Sequence, residues 1–257
     1  MIGAAVVLAG ATAGPLTALA QATRPSTGQT EVDLELVLLA DATGSIDNSE
    51  IRFQREGYAE AIIDPMVISA IRNTLHGSIA VTYVEWADEY SQAIVVDWTI
   101  IDGEESAAAF AKALLEPPRM AYGRNAIGAA LLFGKERIEK NDISGFRKVI
   151  DFSADSANNW NGPSIEDARA EVLAAGIIIN GLAVLCRHCA TGRAANYDLE
   201  AAFGARIIGG PGSFVITADS KATFSNAVRR KLILEIAGKL PAVRLAEGVD
   251  TERATPE

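Results

Sequence analysis

The chain has 257 residues, of which 49% are hydrophobic and 22% are charged. This length and composition allow a complete hydrophobic core and exclude a disordered chain. The formal net charge of -10 argues against binding to nucleic acid or to anionic lipid, and two cysteines exclude a disulfide scaffold.

The first 22 residues have the pattern of a leader sequence. They carry no charged side chain, residues 2–14 are apolar or small, and small residues around Ala20 and Ala22 offer a cleavage site. This pattern predicts a secretory signal peptide at residues 1–22 and therefore an exported protein. The apolar run is short for a membrane span, so no stable span is expected after cleavage. The alternative is a buried N-terminal helix, for which the Gly, Thr and Pro content is unfavourable.

The rest of the chain alternates predicted strands and helices. Continuous apolar runs with β-branched residues indicate buried strands, and spacings of three and four residues indicate helices. In chain order, we predict a strand at 32–40, two helical pieces within 49–75 divided at Pro65, strands at 78–86 and 93–101, helices at 104–115 and 126–140, a strand at 147–152, a helix at 164–175, a strand at 177–185, a short helix at 197–203, an interrupted strand at 207–216 and a last helix at 221–237.

This order predicts an α/β fold with a doubly wound, mostly parallel sheet and helices on both faces. Residues 87–92 form a connection too short for a parallel crossover, so the strand at 93–101 should be a single antiparallel edge strand. We expect one domain at residues 31–238 and a flexible polar tail at residues 239–257.

Polar side chains gather where the predicted strands end. Asp41, Thr43 and Ser45 follow the first strand, Asp155 follows the strand at 147–152, and Asn125 precedes the helix at 126–140. In a parallel sheet these positions meet at one edge, where ligands bind. Carboxylate, hydroxyl and amide oxygens suit a hard divalent cation, Mg²⁺ or Mn²⁺. Taken singly, each acidic residue is equally typical of a turn or of a helix cap.

The run from Leu38 to Ser45 resembles the first motif of von Willebrand factor type A domains, an Asp-x-Ser-x-Ser sequence after the first strand. The resemblance covers roughly residues 31–238 and is closest to a bacterial exported subfamily of unknown function. Further matching segments are Arg55-Glu56-Gly57-Tyr58, 80–86, 127–131, 150–159, Asn180-Gly181-Leu182, 208–212 and Arg230-Lys231-Leu232.

The resemblance implies a metal-ion-dependent adhesion site (MIDAS). Asp41, Thr43 and Ser45 would form the first ligand loop, and Asp155 stands at the family's last acidic position. Asn125 stands where the family usually has a threonine, and Thr43 replaces a serine. In this family a carboxylate from a protein partner completes the metal shell. The subfamily resemblance also implies the periplasm of a Gram-negative bacterium, or secretion.

Two further features are open to more than one interpretation. Cys186 and Cys189 follow a predicted strand, and a local disulfide that stiffens a loop is favoured over a redox pair or a soft-metal site. Trp160 follows Asp155 closely and either contacts a partner or anchors its own loop.

We therefore expect a non-catalytic protein-binding module of the adhesion or assembly type, assisted by a divalent cation. One alternative is a structural envelope protein that needs no metal. The other is a haloacid-dehalogenase-like phosphatase with Asp41 as nucleophile and Ser153 as a phosphate-binding hydroxyl. Position 43 is a threonine where that enzyme class has its acid, which argues against the phosphatase.

Overall fold

The computed structural model describes residues 28–185, 198–219 and 221–238, with only the backbone at 221–222. Its elements in chain order are β1 (Thr30–Asp41), α1 (Asn48–Ile62), α2 (Pro65–Arg72), β2 (Ile79–Trp86), β3 (Gln92–Ile101), α3 (Glu104–Leu115), α4 (Ile127–Glu139), β4 (Ile143–Ala154), α5 (Ile165–Ala174), β5 (Ile178–Val184), α6 (Leu199–Arg206), β6 (Val215–Ala218) and α7 (Lys221–Ala237).

Three sequence-based predictions concern residues outside these ranges: the signal peptide at 1–22, the pair Cys186 and Cys189, and the tail at 239–257. They stay predictions. Among the residues that the structure describes, no helix is both long and apolar enough to cross a membrane.

The six strands form one sheet in the order β3-β2-β1-β4-β5-β6. Every neighbouring pair is parallel except β2 and β3, which are antiparallel and place β3 at one edge. The chain therefore winds outward from β1 in both directions, which brings the carboxyl ends of β1 and β4 side by side. The predicted fold class and the antiparallel edge strand are confirmed.

Helices cover both faces of the sheet because its central strands are apolar on both sides. In β1, Leu34, Leu36 and Leu38 face a core formed with α1, α2, α3 and α7. Val37 and Leu39 face the opposite core, formed with α4, α5 and α6. Because both faces of β1 are covered, its sequence is apolar without interruption at residues 36–40.

The structure differs from the predicted boundaries at three elements. β4 begins at Ile143 rather than at residue 147. Its first residues lie beside β1, and the backbone N–H of Gly145 donates to the buried Glu35 carboxylate at 2.8 Å. β6 covers only Val215–Ala218, since the glycine-rich turn at 209–212 permits a single bridge between Gly209 and Ile179. α6 begins at Leu199, where Asp198 caps its first turn.

Candidate functional site

The loops that follow the carboxyl ends of β1, β2 and β4 meet the loop before α4 at one end of the sheet. We call this end the carboxyl edge and define it by residues 42–47, 87–91, 116–126 and 155–164. A backbone hydrogen bond from Gly44 to the carbonyl of Gly123 spans 2.8 Å, and another from Ala126 to the carbonyl of Ala87 spans 2.9 Å. The four loops are therefore one connected surface.

The first loop turns back on the carboxylate with which it begins. Asp41 and Thr43 are 1% and 0% exposed, and the backbone N–H of Thr43 donates to Asp41 Oδ1 at 2.8 Å. The hydroxyl oxygens of Thr43 and Ser45 lie 3.2 Å apart. This turn presents one carboxylate and two hydroxyls within five residues, as the Asp-x-Thr-x-Ser pattern predicts.

Asp155 joins this group from the adjacent strand. Its backbone N–H lies 3.4 Å from Asp41 Oδ2, and the Ser45 hydroxyl hydrogen-bonds its carboxylate. Burial, and after it repulsion from Asp155, raise the pKa of Asp41 to about 7. Burial also raises the pKa of Asp155, against the hydrogen bond from Ser45. Two carboxylates are thus held together, no cationic side chain in the described ranges forms an ion pair with either, and a cation would relieve their repulsion.

Asn125 reaches the same edge from the loop before α4. It is 9% exposed, and its backbone carbonyl accepts a hydrogen bond from Trp160 N–H at 2.8 Å. The glycine two residues earlier, Gly123, has a φ of 127°, and an added Cβ there would lie 2.5 Å from the Asp88 Cβ. A residue with a side chain would therefore push this loop away from the edge.

The donor set at this edge consists of oxygen atoms. Two carboxylates, two hydroxyls and one amide match the ligands of Mg²⁺ and Mn²⁺, which often keep several waters in their shells. Within the described ranges, no group of three or more His, Cys, Asp or Glu side chains could hold a metal. The residues fit a hard divalent cation and do not fit a site built from histidine or thiolate ligands.

Arg119 holds the first loop in place, and sequence reasoning missed it. Its guanidinium donates to the backbone carbonyls of Thr43 at 3.0 Å and Ile46 at 2.7 Å, and also to that of Ala42. A single side chain thus fixes the carbonyls on both sides of the Thr43 hydroxyl. No sequence spacing signals such a contact, because its acceptors are backbone atoms.

Asp88 connects the loop after β2 with the loops that carry Arg124 and Asn161, and sequence reasoning also missed it. Its carboxylate accepts hydrogen bonds from the N–H groups of Glu89 at 2.8 Å and Arg124 at 3.2 Å, and from Asn161 Nδ2 at 2.5 Å. The hydrogen bond from Asn161, the two backbone N–H groups and, to a smaller extent, the charge of Arg124 lower the pKa of Asp88. Asp88 is therefore ionised at neutral pH and braces the loops that carry Asn125 and Asp155.

Trp160 lies on the carboxyl edge with its ring 66% exposed. The Arg124 guanidinium stands 5.5 Å from the centre of that ring. The sequence left open whether this tryptophan contacts a partner or anchors its own loop, and the contact with a partner stays a prediction. Ser153, the candidate phosphate-binding hydroxyl, is 0% exposed within β4.

A second charged cluster lies inside the core, beneath α7. Lys231 Nζ is 2.8 Å from Asp151 Oδ1 and also pairs with Glu235, and Asn180 Nδ2 donates to Glu235 at 3.0 Å. All four side chains are buried. Burial raises the pKa of Glu235 to about 7 against the opposing effect of Lys231. Sequence reasoning missed this cluster, because a lysine on a helix ordinarily predicts an exposed position.

Solved structures with this fold come from several organisms. Proximal thread matrix protein 1 from the mussel byssus, with a zinc-occupied MIDAS motif, has a TM-score of 0.57 and 16% identity over 81% of this chain and 49% of that chain. The pilus adhesin SpaC from Lactobacillus rhamnosus GG, in its open conformation, has a TM-score of 0.56 and 12% identity over 81% of this chain and 31% of that chain.

A von Willebrand factor type A structure from Catenulispora acidiphila has a TM-score of 0.52 and 15% identity over 80% of this chain and 43% of that chain. The chain thus spans about half the length of the mussel protein and about a third of the adhesin. No curated protein sequence matches it.

The structural matches agree on the von Willebrand factor type A fold, which the sequence resemblance predicted. Residues 31–240 match the model of the family described as "Protein of unknown function (DUF1194)", and the chain belongs to that family.

Proposed function

We propose that the chain is a non-catalytic protein-interaction module whose carboxyl edge binds a divalent cation, Mg²⁺ or Mn²⁺. Asp41, Thr43, Ser45 and Asp155 are the proposed ligands, with Asn125 as a further oxygen donor. The observation that carries the proposal is the convergence of Asp41 and Asp155, two largely buried carboxylates with raised pKa values and, among the residues that the structure describes, no ion pair to a cationic side chain. A divalent cation would supply the missing positive charge.

The two departures from the family's usual ligands are compatible with this proposal. Thr43 keeps the hydroxyl of the serine that it replaces, and its oxygen lies beside that of Ser45. Asn125 offers an amide oxygen, which is a ligand for hard cations. The mussel matrix protein of this fold carries zinc in its MIDAS motif, which supports a divalent cation but leaves the choice of ion to experiment.

A protein partner is proposed on two grounds. The adhesin and the mussel matrix protein share this fold, and the resemblance noted above implies that a partner's carboxylate completes the metal shell.

The first 22 residues support export, and we propose a periplasmic or secreted location. Fusing residues 1–30 to a β-lactamase that lacks its own leader would test this, since only export should make the bacteria resistant.

Thermal unfolding of the chain with Mg²⁺, with Mn²⁺ and with EDTA tests the metal site. A cation at about a hundred times its dissociation constant stabilises the fold by about 2.7 kcal/mol. For a domain of about 200 residues this raises the Tm by roughly 5–10 °C. The rise should disappear in Asp41→Asn. Equal Tm values with metal and with EDTA in the wild-type chain would contradict the site and favour a metal-independent structural protein.

A further inference from the structure

Exposed aromatic side chains are concentrated on the loops of the carboxyl edge, which also carry most of the proposed metal ligands. Three of the four exposed aromatic residues of the described part of the chain lie on the carboxyl edge: Tyr90, Tyr122 and Trp160, which are 91%, 58% and 66% exposed. Met120, on the same loops, is also exposed. Exposed aromatic side chains grouped around one site indicate an interface, since Trp, Tyr and Arg carry most of the binding free energy in protein complexes.

The rings are mounted on braced loops. Tyr122 receives support at both ends, because its backbone N–H donates to Ser91 Oγ at 2.9 Å and its hydroxyl donates to the carbonyl of Arg119 at 3.0 Å. The Trp160 loop is tied to Asn125 through its backbone and to Asp88 through Asn161. A partner would therefore meet a preorganised surface and lose little conformational entropy in ordering it.

The four loops carry two cationic side chains, Arg119 and Arg124, and these differ in availability. The guanidinium of Arg119 already donates hydrogen bonds to backbone carbonyls. Arg124 is exposed above the Trp160 ring, and within the described residues its guanidinium donates no hydrogen bond and forms no ion pair. The Asp88 carboxylate, with which the Arg124 charge interacts, already accepts hydrogen bonds from Glu89, the Arg124 backbone and Asn161.

A guanidinium that lies over an aromatic ring keeps its edge N–H groups free for a carboxylate in the guanidinium plane. The indole N–H of Trp160 likewise has no acceptor among the described residues. Both groups are donors, so the surface next to Asn125 selects an acceptor and specifically an anion. An acceptor of this kind on the partner would lie beside the group that completes the metal shell.

We infer that Arg124 and Trp160 form a second anchor beside the metal site, and that the partner is an acidic protein segment with two carboxylates. One carboxylate completes the metal shell, and the other binds Arg124. Apolar partner side chains next to them pack against Tyr122 and Tyr90. This inference rests on the proposed function for the first carboxylate, whereas the second follows from Arg124 and Trp160 alone.

Selection from a random peptide library displayed on phage, with the chain immobilised in Mg²⁺, tests the anchor. We expect the enriched peptides to share two acidic residues. By fluorescence anisotropy, Arg124→Gln should weaken the binding of such a peptide about tenfold. The same substitution should leave unchanged the binding of the peptide in which the second acid is replaced by its amide. Lys140→Gln removes the same charge at the far end of α4 and should have no effect.

Three results would overturn the anchor: no enrichment, enriched peptides with a single acidic residue, or equal affinity of wild type and Arg124→Gln for two-acid peptides. Thermal melts of the same variants separate the two proposals. If Mg²⁺ raises the Tm of the wild-type chain but Arg124→Gln has no effect on peptide binding, the metal site stands and the anchor is refuted. If Mg²⁺ leaves the Tm of the wild-type chain unchanged but Arg124→Gln still weakens the binding of two-acid peptides, the metal site is refuted and the anchor stands.

Discussion

The backbone N–H of Asp155 lies 3.4 Å from Oδ2 of Asp41, so the acidic residues that end β4 and β1 meet at one point of the carboxyl edge. Their proximity raises the pKa of Asp41 beyond the increase that burial alone would give. The stability of the metal-free chain and its affinity for cations are therefore linked through one side chain.

Substituting Asp41 by Asn should change stability and metal response in opposite directions. Asn keeps an Oδ1 acceptor for the Thr43 N–H but removes a buried charge and its repulsion from Asp155. In EDTA at about pH 8, urea unfolding should show the variant to be more stable by about 1–3 kcal/mol. Asp47→Asn, an exposed control in the same loop that keeps its helix cap, should change stability by less than about 0.5 kcal/mol. A less stable Asp41→Asn chain would contradict the account.

Metal binding should weaken as the pH falls. The Asp41 carboxyl, with a pKa of about 7, must release its proton before it can bind a cation. Below that pH, the apparent dissociation constant for Mg²⁺ should rise about tenfold per pH unit for each proton displaced. Calorimetric titrations between about pH 8 and pH 5.5 measure this change. A dissociation constant that stays the same over this range would show that Asp41 is not a ligand.

Removing the buried lysine should destabilise the fold in a pH-dependent way. Lys231→Met leaves Asp151 and Glu235 buried without a cation. This should lower the free energy of unfolding by about 3–5 kcal/mol at about pH 8. At about pH 5 the Glu235 carboxyl, with its pKa of about 7, takes up a proton, so this loss of stability should be smaller. Lys112→Met removes an exposed lysine from a surface pair and should cost less than about 0.5 kcal/mol at either pH. An equal cost of Lys231→Met at both pH values would contradict the charge argument.

Glu235 should make the metal-free chain less stable as the pH rises. Its pKa is raised from 4.5 to about 7, so between these values the native chain holds a proton that the unfolded chain has released. The free energy of unfolding therefore falls as the pH increases through this window. Glu235→Gln should remove the contribution of Glu235 to this fall. The variant does not leave Lys231 unpaired, because Asp151 still neutralises it. Urea unfolding in EDTA across the window measures the slope, and an unchanged slope in the variant would refute the assignment.

Arg119 should act on metal affinity although it contacts no proposed ligand side chain. Arg119→Lys keeps the charge but cannot reach the carbonyls of Ala42, Thr43 and Ile46 together. Loss of this support should lower Mg²⁺ affinity by about 10–100-fold, as measured by calorimetry. Arg52→Lys, on the exposed side of α1, is the matched control and should bind Mg²⁺ as the wild type does. Unchanged affinity in Arg119→Lys would mean that the first loop needs no external brace.

The sheet and its site edge were predictable because both follow from local rules. The apolar run of β1 and the short connection after β2 predicted the parallel sheet and its antiparallel edge, and the ends of β1 and β4 predicted that Asp41 and Asp155 would be neighbours. The roles of Asp88 and Arg119 were not predictable, because their hydrogen bonds join loops that are distant in sequence. Lys231 was missed because its burial depends on a carboxylate from another element, Asp151 of β4, which only the folded chain brings to it.

The most direct test of the central claim is to count bound Mn²⁺ by electron paramagnetic resonance, in which free Mn²⁺ gives the sharp signal. Titration of the wild-type chain at about pH 8 should show one bound Mn²⁺ per chain, displaced by Mg²⁺. The bound fraction should be absent in both Asp41→Asn and Asp155→Asn. A free Mn²⁺ signal that rises identically for the wild type and the two variants would contradict a cation site at the carboxyl edge.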